Sequence, residues 1–298
     1  MGTSNSYGGA GGGTPLVPSW LQGDGGGDAG EGGGGQADPG DGAPPNQDDG
    51  ASSPPAAPPA RPVAPKAGDS DRFTSARTNF TRFTSSGGGD RRSLGRAVSQ
   101  YVSKSSGGSA SAARRMGASR STGAGLVSFL NDAVANGVRE ALRTLNLEGL
   151  AGRPIEEIFS GLADYICPDG GSIDDGIARD AFVETIADLA GAGITDMDTL
   201  TPAQIQTIFE LYATHAIEAR LCNDIGTKVV SMPADAGAAG RVQAQLRDFI
   251  LRGVSDALNA AAVAVQALTP DTVIAFVSGI YQSAFEILQT MGDAEAES

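Results

Sequence analysis

Residues 126–145, LVSFLNDAVANGVREALRTL, carry apolar side chains at steps of three and four positions. This spacing places the apolar side chains on one face of an α-helix. The apolar stripe consists of Leu126, Phe129, Leu130, Ala133, Val134, Val138, Ala141, Leu142 and Leu145. Its width is typical of a helix that covers a hydrophobic core. The segment therefore predicts helical structure in this part of the chain.

The same periodicity continues toward the C-terminus, where helix start signals divide it into segments. Pro154 suits a first helical turn, Asp174 or Asp175 can begin a helix, and Thr201 with Gln204 forms a capping box. A long helix is predicted from about residue 238 to 268, and Thr269-Pro270 begins the last helix. Short alternating patterns that would indicate strands are not visible. We predict an all-α, bundle-like acidic domain over residues 123–298, with a net charge of −16.

Residues 69–122 are predicted to form a basic helical connector with a net charge of +7. Phe73, Ala76, Phe80 and Phe83 follow a helical period, and glycine-rich breaks separate them from a second helix capped by Asp90. Two functions are open for this connector. Arg91, Arg92, Arg114 and Arg115 can grip a nucleic-acid backbone, or the arginines can pair with the acidic domain while the phenylalanines are core.

Residues 1–68 are rich in glycine and proline, and their few aliphatic side chains cannot offset the entropy of ordering the chain. We therefore predict a disordered tail. Its first part, residues 1–22, is interpreted as a docking and presentation peptide. Its second part, residues 23–68, is an acidic Gly/Pro linker.

The sequence offers little support for catalysis, a cofactor or a metal ion. Cys167 and Cys222 have neither disulfide nor metal spacing, and a lone helical histidine, His215, is more often structural than catalytic. Acid pairs such as Asp174/Asp175 are better explained as helix caps. No phosphate-binding loop, secretory signal or membrane span is recognisable. We expect a non-enzymatic, cytoplasmic protein without cofactor, metal or membrane association.

The start of the tail has a chemistry of its own. A small residue at position 2 lets methionine aminopeptidase remove Met1, which leaves an amine on Gly2. An α-amino group has a pKa of about 7.7–8.0, well below that of lysine, so more of it is a neutral nucleophile near pH 7. The small neighbours Thr3 and Ser4 allow entry into a narrow site. An apolar plug that can dock on a partner follows at Pro15, Leu16, Val17 and Trp20.

These stretches resemble a known family. They are MGTSNSYGGAGGGTPLVPSW (residues 1–20) and RFTSARTNFTRFTSSGGGDRRSLGRAVSQYVSKSSGGSASAARRMGAS (residues 72–119), followed by acidic helices. Together they are similar to the QatB family, the non-enzymatic component of the bacterial Qat antiphage defence system. The resemblance implies three partners: an ATPase, a QueC-like relative of 7-cyano-7-deazaguanine synthase, and a TatD-like nuclease.

The resemblance also implies a function for the tail. A QueC-like enzyme adenylates the carboxylate of a deazaguanine and transfers it to ammonia. If the acceptor is a protein amine instead, the product is a nucleobase joined to Gly2 by an amide bond. The expected function is thus a protein substrate and scaffold for the QueC-like enzyme. The alternative is an adaptor that brings phage DNA to the nuclease through residues 72–120.

Overall fold

The computed structural model describes residues 69–168, 171–226, 232–261, 265 and 268–298. The expectation of a disordered tail falls on residues 1–68, which lie outside this described part. Residues Ser70–Ser298 form one compact unit. The predicted connector, residues 69–122, and the predicted acidic domain, residues 123–298, both contribute to it.

Ten α-helices make up the described part of the chain, and no strand occurs there, which confirms the predicted all-α class. A 3₁₀ turn, Asp69–Phe73, precedes α1, and a π-helical turn, Tyr101–Ser105, follows α2. The helices are α1 (Thr74–Ser85), α2 (Arg91–Gln100), α3 (Ser109–Arg114), α4 (Gly117–Asn136), α5 (Val138–Thr144), α6 (Ile155–Ile166), α7 (Ile173–Leu189), α8 (Pro202–Ile225), α9 (Ala236–Ala260) and α10 (Pro270–Glu297).

Helix α10 is the centre of the fold, since α2, α3, α4 and α9 all pack against it. A second layer forms where α7 packs on α8 and α6, and there Phe159 stacks on Phe182 with ring centroids 5.7 Å apart. Phe182 in turn meets Tyr212 edge-on. The phenylalanines of the basic segment are buried, as the core interpretation expects: Phe73, Phe80 and Phe83 are each 6% exposed or less.

The apolar stripe of residues 126–145 is divided between two helices. Gly137 adopts φ 91° and ψ 146°, a conformation that L side chains rarely adopt, and it separates α4 from α5. Val134, in the last turn of α4, is 49% exposed, while Val138 and Leu142 are buried on α5. The prediction of helix was confirmed, but the stripe bends at Gly137.

Most of the helices begin at or next to the residues predicted as their N-terminal caps. Asp90 accepts a hydrogen bond from the Ser93 N–H, and Thr201 with Gln204 forms the expected capping box. Helix α7 begins after Ser172, which forms a capping box with Asp175, so an acid supports the start without being the N-cap itself. The long helix α9 ends at Ala260, earlier than the predicted residue 268.

Helices α2 and α10 cross at two glycines. A Cβ atom on Gly95 would lie 2.7 Å from the Gly292 carbonyl oxygen, and one on Gly292 would lie 2.6 Å from that of Gly95. On either side of the crossing, Ser99 donates to the Asp293 carboxylate and Arg91 pairs with Glu295 at 3.4 Å. The basic segment is therefore fixed directly to the last helix.

Candidate functional site

The residues predicted for conjugation and docking lie outside the described residues. They are Gly2, Thr3, Ser4, Pro15, Leu16, Val17 and Trp20. The site that the structure does place is the basic segment with the acidic helices around it.

The four arginines predicted for nucleic-acid contact have different environments. Arg91 pairs with Glu295 but keeps 58% of its side chain exposed, and Arg92 beside it is exposed. Arg114 is exposed as well and donates to the Ser111 hydroxyl. Arg115 instead points into the protein and pairs with a carboxylate of α8, Asp224. The four side chains therefore do not form one continuous surface.

Asp224 is the centre of a buried polar network near the end of α8. Its Oδ2 accepts hydrogen bonds from the Tyr101 hydroxyl at 2.9 Å and from Arg115 Nη2 at 2.7 Å. Arg220 Nε lies 3.5 Å from the same oxygen, and its Nη1 also donates to Asp174 at the start of α7. Burial raises the pKa of Tyr101, so the phenol keeps its proton and acts as the donor. The network joins the basic segment to α7 and α8.

Further arginines surround Phe73, next to this network. The guanidinium carbons of Arg72, Arg77 and Arg115 lie 4.7, 5.7 and 5.7 Å from the centre of the Phe73 ring. These are cation–π distances, and Arg77 also donates through Nε to the Ile225 carbonyl at the end of α8. The inward-facing cations of the basic segment therefore stabilise its own fold.

His215 belongs to a second buried cluster, formed by α7, α8 and α9. Its Nε2 lies 2.9 Å from Asp188 Oδ2. Arg247 donates through Nε to Glu218 Oε2 at 2.9 Å, and its Nη1 lies 4.0 Å from Asp188 Oδ2. Burial lowers the pKa of His215, and the Arg247 charge acts in the same direction against the opposing Asp188. Burial also raises the pKa of Glu218. The cluster therefore holds His215 between side chains of α7 and α9.

A pH titration checks the effect of burial on His215. Because the chain has a single histidine, the imidazole C–H resonances in an NMR spectrum report one residue. We expect a titration midpoint below the ordinary value of about 6.5. The unfolded chain then binds the proton more readily than the folded one, so stability should fall as pH drops below about 6.5. Asp188→Asn should lower the midpoint further, and a midpoint above 6.5 in the native protein would contradict the dominance of burial.

A cleft of about 530 Å³ opens at the start of α7 and is lined by Tyr165, Cys167, Ser172 and Asp174, among others. Burial raises the pKa of the Cys167 thiol to about 11, so the thiol is protonated at neutral pH.

Within the described residues, no group of three or more His, Cys, Asp or Glu side chains is arranged to hold a metal ion. None of the helices that the structure describes is long and apolar enough to cross a membrane.

Sequence reasoning missed the central role of Asp224. Arg220 and Asp224 are four residues apart on one helix, which is a detectable signal. The other partners of Asp224, which are Arg115 and Tyr101, lie more than a hundred residues away, so sequence spacing carries no sign of these contacts.

Comparison with known proteins places this helical chain among the components of antiphage defence. The sequence profile of a family described as Qat anti-phage system associated protein QatB matches residues 107–288, more than half of the chain. The chain belongs to the QatB family and is a component of the Qat antiphage defence system. No curated protein matches the sequence. No solved structure matches the chain either.

Proposed function

We propose that this protein is the substrate and scaffold of a QueC-like partner enzyme, to which it presents the amine of Gly2. The N-terminal sequence carries this proposal: a glycine with small neighbours, a glycine-rich leash and an apolar plug around Trp20. Membership of a defence system supports it, because such a component acts together with other proteins. The chain itself is proposed to be non-enzymatic.

The proposed reaction has two steps, both on the partner. The carboxylate of a deazaguanine attacks ATP, forming an acyl-adenylate and releasing pyrophosphate. The neutral Gly2 amine then attacks the acyl carbon, AMP leaves, and the nitrogen loses one proton as the amide forms. An α-amine suits this step because, with a pKa of about 7.7–8.0, a useful fraction is unprotonated at neutral pH. The docked plug would raise the local concentration of the amine.

The contacts of the basic segment bear on the alternative function. Arg115 pairs with Asp224 and Arg91 with Glu295, so part of the positive charge is neutralised within the fold. The net charge of −14 further opposes contact with a polyanion. Both observations favour a structural role for the segment over DNA delivery.

Mass spectrometry tests the proposal directly. We expect the intact protein and its N-terminal peptide to gain the mass of one acyl-linked deazaguanine when the neighbouring genes are co-expressed. The gain should disappear when the QueC-like gene is omitted. An unmodified Gly2 in both samples would contradict the proposal.

Two tail variants separate the acceptor from the docking peptide. Gly2→Glu should prevent removal of Met1 and abolish the added mass, while Trp20→Ala should slow conjugation when the partner enzyme is limiting. Gln22→Ala, just beyond the plug, is the matched control and should react like the native protein.

The alternative is tested with DNA and the exposed arginines alone. Substituting Arg91, Arg92 and Arg114 by alanine leaves the Asp224 network intact, whereas Arg115→Ala would remove one of the two arginines that pair with the buried Asp224 carboxylate. DNA affinity that rises steeply as salt is lowered, and is lost in this triple variant, would favour the adaptor function.

A further inference from the structure

Helix α7 has apolar side chains on two opposite faces. Its inner face, with Ile177, Phe182 and Leu189 among others, is buried against the core. Its opposite side, which we call the α7 outer face, consists of Ile173, Gly176, Asp180, Val183 and Ala187, all exposed. These positions follow steps of three and four residues, the spacing of a seam that packs against another helix. A helix that needed only the core contact would carry polar residues on this side.

Two of the exposed side chains on this helix are large and apolar. In the described part of the chain, five large apolar residues are exposed, and three of them lie on or beside α7. Ile173 is 67% exposed and Val183 is 52% exposed, and Tyr165, at the end of the neighbouring α6, is also 52% exposed. Helix α7 is 17 residues long, or about 25 Å, which is enough to contact a partner helix over several turns.

The charge around the face defines what can bind there. Residues 155–189, which include α6 and α7, hold nine acidic residues and one basic residue, Arg179. By sequence this stretch carries half of the net charge of the predicted acidic domain, and part of it is balanced by arginines of other helices, Arg220 beside Asp174 and Arg247 beside Asp188. Asp180 lies on the outer face itself, and Glu184 is exposed beside it. A second copy of the chain would bring a surface of equal charge against this one, which is unfavourable.

We propose that the α7 outer face is the docking surface for a basic amphipathic helix of a partner protein. Apolar side chains of that helix would cover Ile173 and Val183, and its flanking lysines or arginines would face the acidic residues of α6 and α7. Gly176, which lies between Ile173 and Val183, and Ala187, one turn beyond Val183, are small, so the two backbones can approach closely at these positions. In such recognition of an amphipathic helix, apolar anchors give affinity and charge gives orientation.

The test uses the full-length protein and a synthetic probe, an 18-residue fluorescent peptide of leucine and lysine with amphipathic helical spacing. We expect the peptide to bind and to protect the amides of α7 from hydrogen exchange. A scrambled peptide of the same composition, without an apolar face, should bind at least tenfold more weakly. A leucine–glutamate peptide of the same pattern should not bind.

The double variant Ile173→Gln/Val183→Gln should weaken binding at least tenfold while leaving the fold intact, because both side chains are exposed. The matched control, Val134→Gln/Ile274→Gln, removes two similarly exposed residues on α4 and α10 and should change the affinity less than twofold. If the Ile173/Val183 variant bound the peptide as tightly as the native protein does, the proposal would be overturned. The same holds if the scrambled peptide bound as tightly as the amphipathic one. A native dimer in sedimentation that the same variant makes monomeric would overturn it too, because a second copy would then cover the face.

Discussion

Replacing Asp224 by asparagine is expected to lower the free energy of unfolding by about 3 kcal/mol. The substitution keeps the shape of the side chain but removes the negative charge that holds Arg115 and Arg220. Arg220 is 7% exposed, so water has little access to it, and Asp174 is then left as its carboxylate partner. Urea unfolding followed by circular dichroism measures the effect. Since small proteins are stable by about 5–15 kcal/mol, a loss of this size should move the midpoint visibly.

Two controls show whether buried charge causes the loss. Glu148→Gln removes an ion pair with Arg139 in which both side chains are more than half exposed, and it should leave the unfolding midpoint unchanged. Tyr101→Phe removes one neutral donor to Asp224 and should cost about 1 kcal/mol, which gives a readout even if Asp224→Asn does not fold. If Asp224→Asn and Glu148→Gln changed the free energy of unfolding equally, the buried charge of Asp224 would not be the cause of the loss.

The second large effect is expected at the α2–α10 crossing. Gly292→Ala should destabilise the protein by about 2–3 kcal/mol, because the new methyl group would lie 2.6 Å from the Gly95 carbonyl oxygen and 3.0 Å from the Ser99 Cβ. The first of these neighbours is backbone, so relief requires the helices to separate. Thermal unfolding of the purified variant measures the loss.

Gly279→Ala provides the matched control on the same helix. Gly279 is exposed, and a Cβ atom there would have no neighbour within 4 Å. Alanine is the better helix former, so this variant should be more stable than the native protein by about 0.5–1 kcal/mol. If Gly292→Ala and Gly279→Ala lowered the stability equally, the close approach of α2 and α10 at Gly292 would not explain the loss.

The helical class of this protein could be predicted because its determinants are local. Apolar spacing and the capping pairs at Asp90 and Thr201 act within one or two turns, and the structure confirms them. The bend at Gly137 was missed, because glycine is tolerated inside helices as well as at their ends. Whether Gly137 continues the helix or ends it is decided by the packing of α5 beside α4.

The contacts of the basic segment were less predictable. The excess of positive charge in residues 69–122 indicates that arginines can pair with the acidic helices, but it does not say which ones. Arg115 turns inward while its neighbour Arg114 stays at the surface, a difference set by the position of Asp224 on a distant helix. The Gly95–Gly292 crossing depends in the same way on two segments that only the complete fold brings together.

The α2–α10 contact also has a consequence for synthesis on the ribosome. Helix α2 ends at Gln100, and α10, which packs against it, begins at Pro270. Roughly 170 further residues must therefore be synthesised before the two helices can pack. At the usual rate of elongation this takes about 10–35 s. During that interval the buried face of α2, including Leu94 and Val98, has no partner from α10 and is open to chaperones. Translation speed and chaperone supply are therefore expected to affect the yield of this protein.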